Sequence, residues 1–183
     1  MTGSNAATLR RIVTCVDDGG RSRVAIDGPP DAVLEFGPGT GLYEIWTDDG
    51  ATLDRHDPPL HQGRPVRLSP PPGGVTLRWF TVAPIASSAP AGETEAFFAA
   101  AFASMDAVHE RADTTRHPGM HQTKTLDCIV VVRGAVRLIL DDDERLLSPG
   151  DVVVQRGTSH AWLCESDTPA LLVAVLIDRD LAA

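Results

Sequence analysis

MHQTKTLDCIVVVRG, residues 120–134, is the stretch on which the reading of the fold turns. Its first half places His121, Thr123, Thr125 and Asp127 at every second position, and its second half runs into the apolar block Cys128 to Val132. Side chains alternate between faces in an extended strand, so the four polar groups stand in one row, continued by Ile129 and Val131. A row that begins polar and ends apolar suits a strand with its deep end in a core and its polar end at the mouth of a cavity. The other face leads from Gln122, Lys124 and Leu126 into Cys128 and Val130, as in a strand covered on both sides.

Further along, SPGDVVVQRGTSHAWLCE (residues 148–165) reads as turn, strand, turn and strand, with His160 opening the last strand and Trp162 two residues on. Two histidines and a carboxylate thus come from two separate strands. Imidazole nitrogens with a carboxylate oxygen form a ligand set for divalent iron, manganese, zinc or nickel. Without metal, the same groups make a proton-transfer pair in which Asp127 fixes the histidine tautomer. Both alternatives stay open at this level.

The remainder of the chain is mostly strand and turn. RRIVTCV, RSRVAI and GLYEIWT are each followed by Gly- or Asp-rich punctuation, and VTLRWFTVA resumes strand character after a proline-rich loop over residues 54–74. That loop has room for one short edge strand at PVRL. One segment breaks the pattern. ETEAFFAAAFASMDAVHERA, residues 93–112, lacks proline and glycine and repeats Phe97, Phe98, Ala101, Phe102, Met105 and Val108 at helical spacing, so it predicts an amphipathic helix covering one side of the sheet or forming a lid. Four or five strands follow, with the acid run Asp141 to Glu144 as a solvated turn. The expectation is a mainly β chain, an antiparallel sandwich or small barrel.

At 183 residues the chain suits one domain. Sixteen Lys and Arg against 25 Asp and Glu give a net charge of −9, which repels phosphate backbones and anionic lipid heads, so neither nucleic acid nor a membrane is an expected partner. The longest apolar run, Leu171 to Ile177, is too short to cross a bilayer. MTGSNAATLRR contains no apolar stretch of the secretory type. Cys15, Cys128 and Cys164 show no close pair spacing and suit buried free thiols in a reducing cytoplasm.

The two quoted stretches resemble the paired motifs of the cupin superfamily. His121-x-Thr123, Asp127 after three intervening residues and Gly134 after six more follow the first motif, Gly-x5-His-x-His-x3,4-Glu-x6-Gly. Gly150, Gly157 and His160 follow the second, with Arg156 near its usual proline. The resemblance covers residues 117–178 and implies a jelly-roll β-barrel core there, an N-terminal β extension over residues 1–84 packing on it, and the helix before the first motif. It is similar in wording to small single-domain cupins, and it implies a homodimer.

It also implies catalytic or metal-binding roles for His121, Asp127 and His160. Thr123 stands where the motif has its second histidine, and Asp127 where it has glutamate; a hydroxyl is a poor ligand for zinc or iron. Thr123, Thr125, Gln155, Arg156, Trp162 and His117 are the candidates for substrate contacts, with Arg156 suited to a carboxylate. His56, His61 and His109 receive no role. The expected function is acid/base chemistry on a partly apolar aromatic, polyketide or carbonyl-containing metabolite, as in an isomerase, dehydratase, cyclase or decarboxylase. Thr123 and Thr125 would hydrogen-bond the developing enolate oxygen. The alternatives are a metal-dependent oxidoreductase or dioxygenase and a non-catalytic ligand-binding cupin.

Overall fold

A computed structural model of the chain describes residues 9–51, 53–56, 63–85, 90–111 and 113–181. The first eight residues, His61 and the middle of the proline-rich segment lie outside these.

Before the helix run five strands: β1 (Arg11–Val16), β2 (Ser22–Gly28), β3 (Val33–Gly37), β4 (Thr40–Asp48) and β5 (Val75–Val82). Helix α1 (Ala91–Ser104) and a 3-10 turn at Val108–Glu110 follow, then β6 (Thr125–Arg133), β7 (Val136–Leu140), β8 (Glu144–Leu147), β9 (Val152–Arg156), β10 (His160–Cys164) and β11 (Ala170–Asp178). All pairings between them are antiparallel. Six strands form one sheet in the order β3-β4-β5-β11-β6-β9, three form a second in the order β10-β7-β8, and β1-β2 is a separate pair. The six- and three-stranded sheets are the two layers of a jelly-roll β-sandwich, with no helix long and apolar enough to cross a membrane among the described residues.

The layers enclose a core of Ile129 and Val131 from β6, Val136 from β7, Cys164 from β10 and Leu172, Ala174 and Leu176 from β11. Its position follows from the alternation read in the opening stretch. From Thr125 to Val131 every second residue is buried while Leu126, Cys128 and Val130 are half-buried. The polar row therefore faces inward with the core. The motif glycine Gly134 has φ 79° where the chain leaves β6 for the other sheet, and a Cβ there would come within 3.0 Å of Ala170.

Three elements differ from expectation. The N-terminal strands do more than pack on the barrel, since β3, β4 and β5 continue the sheet of β11 and β6. PVRL forms no strand. Pro65 and the prolines at 70–72 remove ladder donors, Val66 is buried under the helix, and Leu68 N–H donates to Met105 O. Helix α1 ends at Ser104, not at 112, because Asp106 takes a left-handed φ of 57°. Ala107 N–H then bonds Phe102 O at 2.8 Å and Asp106 N–H bonds Ala103 O at 3.3 Å, the two bonds of a Schellman cap. Ala107 and Phe102 share the cluster beneath, as that motif prefers, with Leu42 of β4. The helical stripe covers the sheet through Phe102 and Met105, while Val108 is 59% exposed.

Candidate active site

His121 precedes β6, and His160 opens β10. They are joined by a backbone bridge: His121 N–H donates to His160 O at 3.0 Å, and His160 N–H to His121 O at 2.9 Å. This exchange sets both side chains on one side, with ring centroids 4.2 Å apart. Each ring is also held by its own chain. His121 Nδ1 lies 2.9 Å from Gly119 O, and His160 Nδ1 lies 2.9 Å from Thr158 O. A carbonyl only accepts, so each Nδ1 carries the proton and each neutral ring presents the Nε2 lone pair. Burial and the neighbouring His121 push His160 down to about 3, and burial also lowers His121, so the pair is uncharged at neutral pH.

These rings border a cavity of about 140 Å3 between the sheets and under the helix. Thr123, Asp127 and Trp162 line it as well, with Phe102 and Met105 closing one side and Phe80 another. Asp127 is 3% exposed, its Oδ1 has no hydrogen-bond partner, and desolvation raises its pKa to about 6 against the opposing pull of Thr125 and Arg78.

Asp127 does not orient either histidine: no hydrogen bond joins it to the rings, and two backbone carbonyls take that task. Nor does it complete a metal set. Among the described residues no three His, Cys, Asp or Glu side chains are grouped so that they could hold one ion. The inward positions between His121 and Asp127 are Thr123 and Thr125, whose hydroxyls lie 2.6 Å apart. The residues present therefore do not fit the implied His121, Asp127 and His160 metal centre.

The remaining candidates fall outside the cavity wall. Thr125 is buried behind it, bonded to Thr123. Gln155 is buried too, but its amide donates to Thr158 O at 3.1 Å and to the Thr158 hydroxyl, bracing the turn that presents His160. Arg156 is an exposed residue at the end of β9, since strand alternation that turns Gln155 inward turns its neighbour outward. His117 packs edge-on against Phe98 at 5.3 Å and accepts from Gly119 N–H at 3.0 Å.

The sequence reading missed Arg78, in the middle of β5, which is 3% exposed and lines the cavity. It faces Glu44 across the β4–β5 ladder, with Nη2 at 3.1 Å from Oε1, and Nη2 also donates to Arg67 O at 2.6 Å. Its Nε and Nη1 have no partner, and neither does the hydroxyl of Thr81, another residue that lines the cavity. The signal was available: VTLRWFTV and GLYEIWT each carry one charge at the centre of an apolar strand, of opposite sign. A larger hollow, about 420 Å3, lies on the other side of Arg78 against the proline-rich segment, and neither histidine of the pair reaches it. The smaller cavity is the candidate site because the paired histidines, Asp127 and Arg78 all line it.

A family model of the cupin domain matches residues 107–176. The chain is similar to the Phomopsin biosynthesis cluster protein C' of Diaporthe leptostromiformis, 50% identical over 50 residues, which are 27% of this chain and 26% of that protein. It is similar also to the cupin-domain-containing oxidoreductase fogC of Aspergillus ruber, 36% identical over 63 residues, 32% of this chain and 31% of that one. The Oryzines biosynthesis cluster protein J of Aspergillus oryzae is 46% identical over 57 residues, 28% of this chain and 32% of that protein. The chain thus spans about a quarter to a third of the curated relatives it matches. Among solved structures, AerE from Microcystis aeruginosa aligns with a TM-score of 0.46 at 12% identity, over 83% of this chain and 47% of that one.

Proposed function

Because this chain belongs to the cupin superfamily through residues 107–176, we propose that it is an enzyme of secondary metabolism that moves a proton next to a carbonyl in a small, partly apolar metabolite. The observation that carries the reading is Asp127, a buried carboxylate on a residue that lines the cavity, with a pKa of about 6 and one oxygen without a partner. A base is most effective when its pKa lies near the working pH, and Asp127 meets that condition where His160, at about 3, does not. In the step, the substrate C–H bond breaks, its proton passes to Asp127, and the electron pair shifts through the new C=C bond onto the carbonyl oxygen. Protonated Asp127 then returns the proton to a second carbon, as in isomerisation, or to a leaving group, as in dehydration. His121 and His160 accept hydrogen bonds from substrate hydroxyls through Nε2, and Phe80, Phe102 and Trp162 enclose its apolar body. Matches to biosynthesis-cluster proteins support a metabolite of that kind.

The test is hydrogen–deuterium exchange at carbons next to a carbonyl, followed by NMR over a panel of aryl ketones and 2-oxo acids in deuterated buffer. Wild-type protein is expected to accelerate exchange for at least one compound, and Asp127→Asn to lower it by about a hundredfold or more. No exchange above buffer across the panel, or equal exchange in the variant, overturns the reading.

Relatives named as oxidoreductases support a second reading, redox turnover of the same kind of metabolite. Iron or manganese retained through purification together with oxygen consumption would favour it.

A further inference from the structure

Thr123 and Thr125, the hydroxyls assigned by sequence to the developing enolate oxygen, are committed to each other at 2.6 Å. The donors without partners belong instead to Arg78, whose Nε and Nη1 are buried and reach no acceptor. Leaving such donors unsatisfied costs free energy in every folded molecule without ligand, so two of them on a residue that lines the cavity point to an acceptor that arrives from outside. The neighbourhood is built to leave room. Arg78 pairs in register with Ala174 of β11, which itself faces Ile129 of β6, and the short side chain of Ala174 lines the same cavity.

Glu44, at 3.1 Å, already balances the charge of Arg78, and Asp127 and Glu110 act on it as further carboxylates. A ligand that arrives fully anionic meets these three acids. A ligand that arrives neutral and gains negative charge on one oxygen during reaction meets the unpartnered N–H groups instead. Such an arrangement binds the charged state better than the ground state.

We propose that Arg78 is the group that holds the substrate oxygen on which negative charge develops, and that the substrate is a compact, uncharged aromatic or cyclic carbonyl compound that enolises. This rests on the proton-transfer reading above and names the substrate class and the oxyanion donor for it.

The experiment uses para-nitrophenol as an equilibrium probe, since its absorbance distinguishes phenol from phenolate without any turnover. The wild-type protein is expected to bind it and to hold a larger phenolate fraction than buffer at the same pH. Arg78→Gln leaves Glu44 buried alone, so the double variant Glu44→Gln/Arg78→Gln, a neutral pair, is measured beside it, with melting curves to check folding. Both variants are expected to lose about tenfold to a hundredfold in phenolate affinity, the span of a hydrogen bond to a charged group. Arg156→Gln, on the surface, is expected to behave as wild type. A wild-type protein that does not bind the probe, or a double variant that binds and ionises it as wild type does, overturns the proposal. The two readings fail separately. Deuterium exchange with an Arg78-insensitive probe removes Arg78 alone. An Arg78-dependent phenolate with no exchange on any compound removes proton transfer and leaves Arg78 as an oxygen-binding group.

Discussion

Asp127 is held in a form that opposes stability at neutral pH. Its folded pKa, about 6, lies above the ordinary 3.8, so its contribution is fully present below pH 3.8 and is lost as pH rises through 6. At pH 7 the ionised carboxylate costs about 3 kcal/mol relative to the unfolded chain. Asp127→Asn is accordingly expected to raise unfolding stability at pH 7 by up to about that amount and to have little effect at pH 4, as urea titrations at the two pH values would read. His160 acts in the opposite direction: its pKa is depressed, so its contribution is present above pH 6.5 and is lost as pH falls towards 3. The difference between Asp127→Asn and wild type isolates the carboxylate from that background. At this scale the sequence showed His121, Asp127, His160 and Trp162 as cavity residues because strand parity and motif spacing mark them. The sequence marks Arg78 only as a lone charge in an apolar strand; its place beside the others is set by the pairing of β5 with β11, a strand far away in sequence.

Helix α1 ends where backbone geometry stops it, not where its composition changes. Ala107 to Ala112 retain helix-compatible residues, but the left-handed Asp106 redirects the chain so that Met105 and Phe102 press on the sheet. Glycine adopts that conformation without strain, and a β-branched residue resists it. Asp106→Gly is expected to keep thermal stability within about 0.5 kcal/mol, since the Arg67 ion pair it removes is largely exposed. Asp106→Val is expected to lower stability by about 1–2 kcal/mol, measured in the same melting series. Phe102→Ala is expected to cost about 3–5 kcal/mol and to enlarge the cavity, because the ring, 4% exposed, belongs to both the helical cluster and the site wall. The amphipathic stripe was legible from spacing. The cap was not, because Asp is only one of several residues that tolerate a left-handed φ.

Across the whole molecule, the cupin match at 107–176 and the folded unit are different things. β11 stands between β5 and β6, so the matched segment without residues 75–82 would expose the edge of β11 along its length and remove one wall of the cavity. A fragment of residues 107–176 is expected to aggregate or stay unfolded, as circular dichroism and light scattering would report. The inward row of β6 was readable at sequence level, and so was the mainly β architecture. The merging of β3, β4 and β5 into the same sheet was not, because local alternation says which face of a strand is buried and nothing about which strand lies beside it.

The place of β5 also sets an order of events. Ala170 pairs with Val82 and Ile177 with Val75, partners roughly ninety to a hundred residues apart, whereas β7 meets β8 across a short turn and β9 and β10 are separated by three residues. Closing the longer loop carries the larger entropic cost, so the neighbouring strands of the C-terminal half can assemble first. Arg78 joins the histidines only when β5 docks. The site is therefore the last part of the molecule to exist during refolding, and ligand binding in a refolding experiment should appear later than the bulk of the β signal.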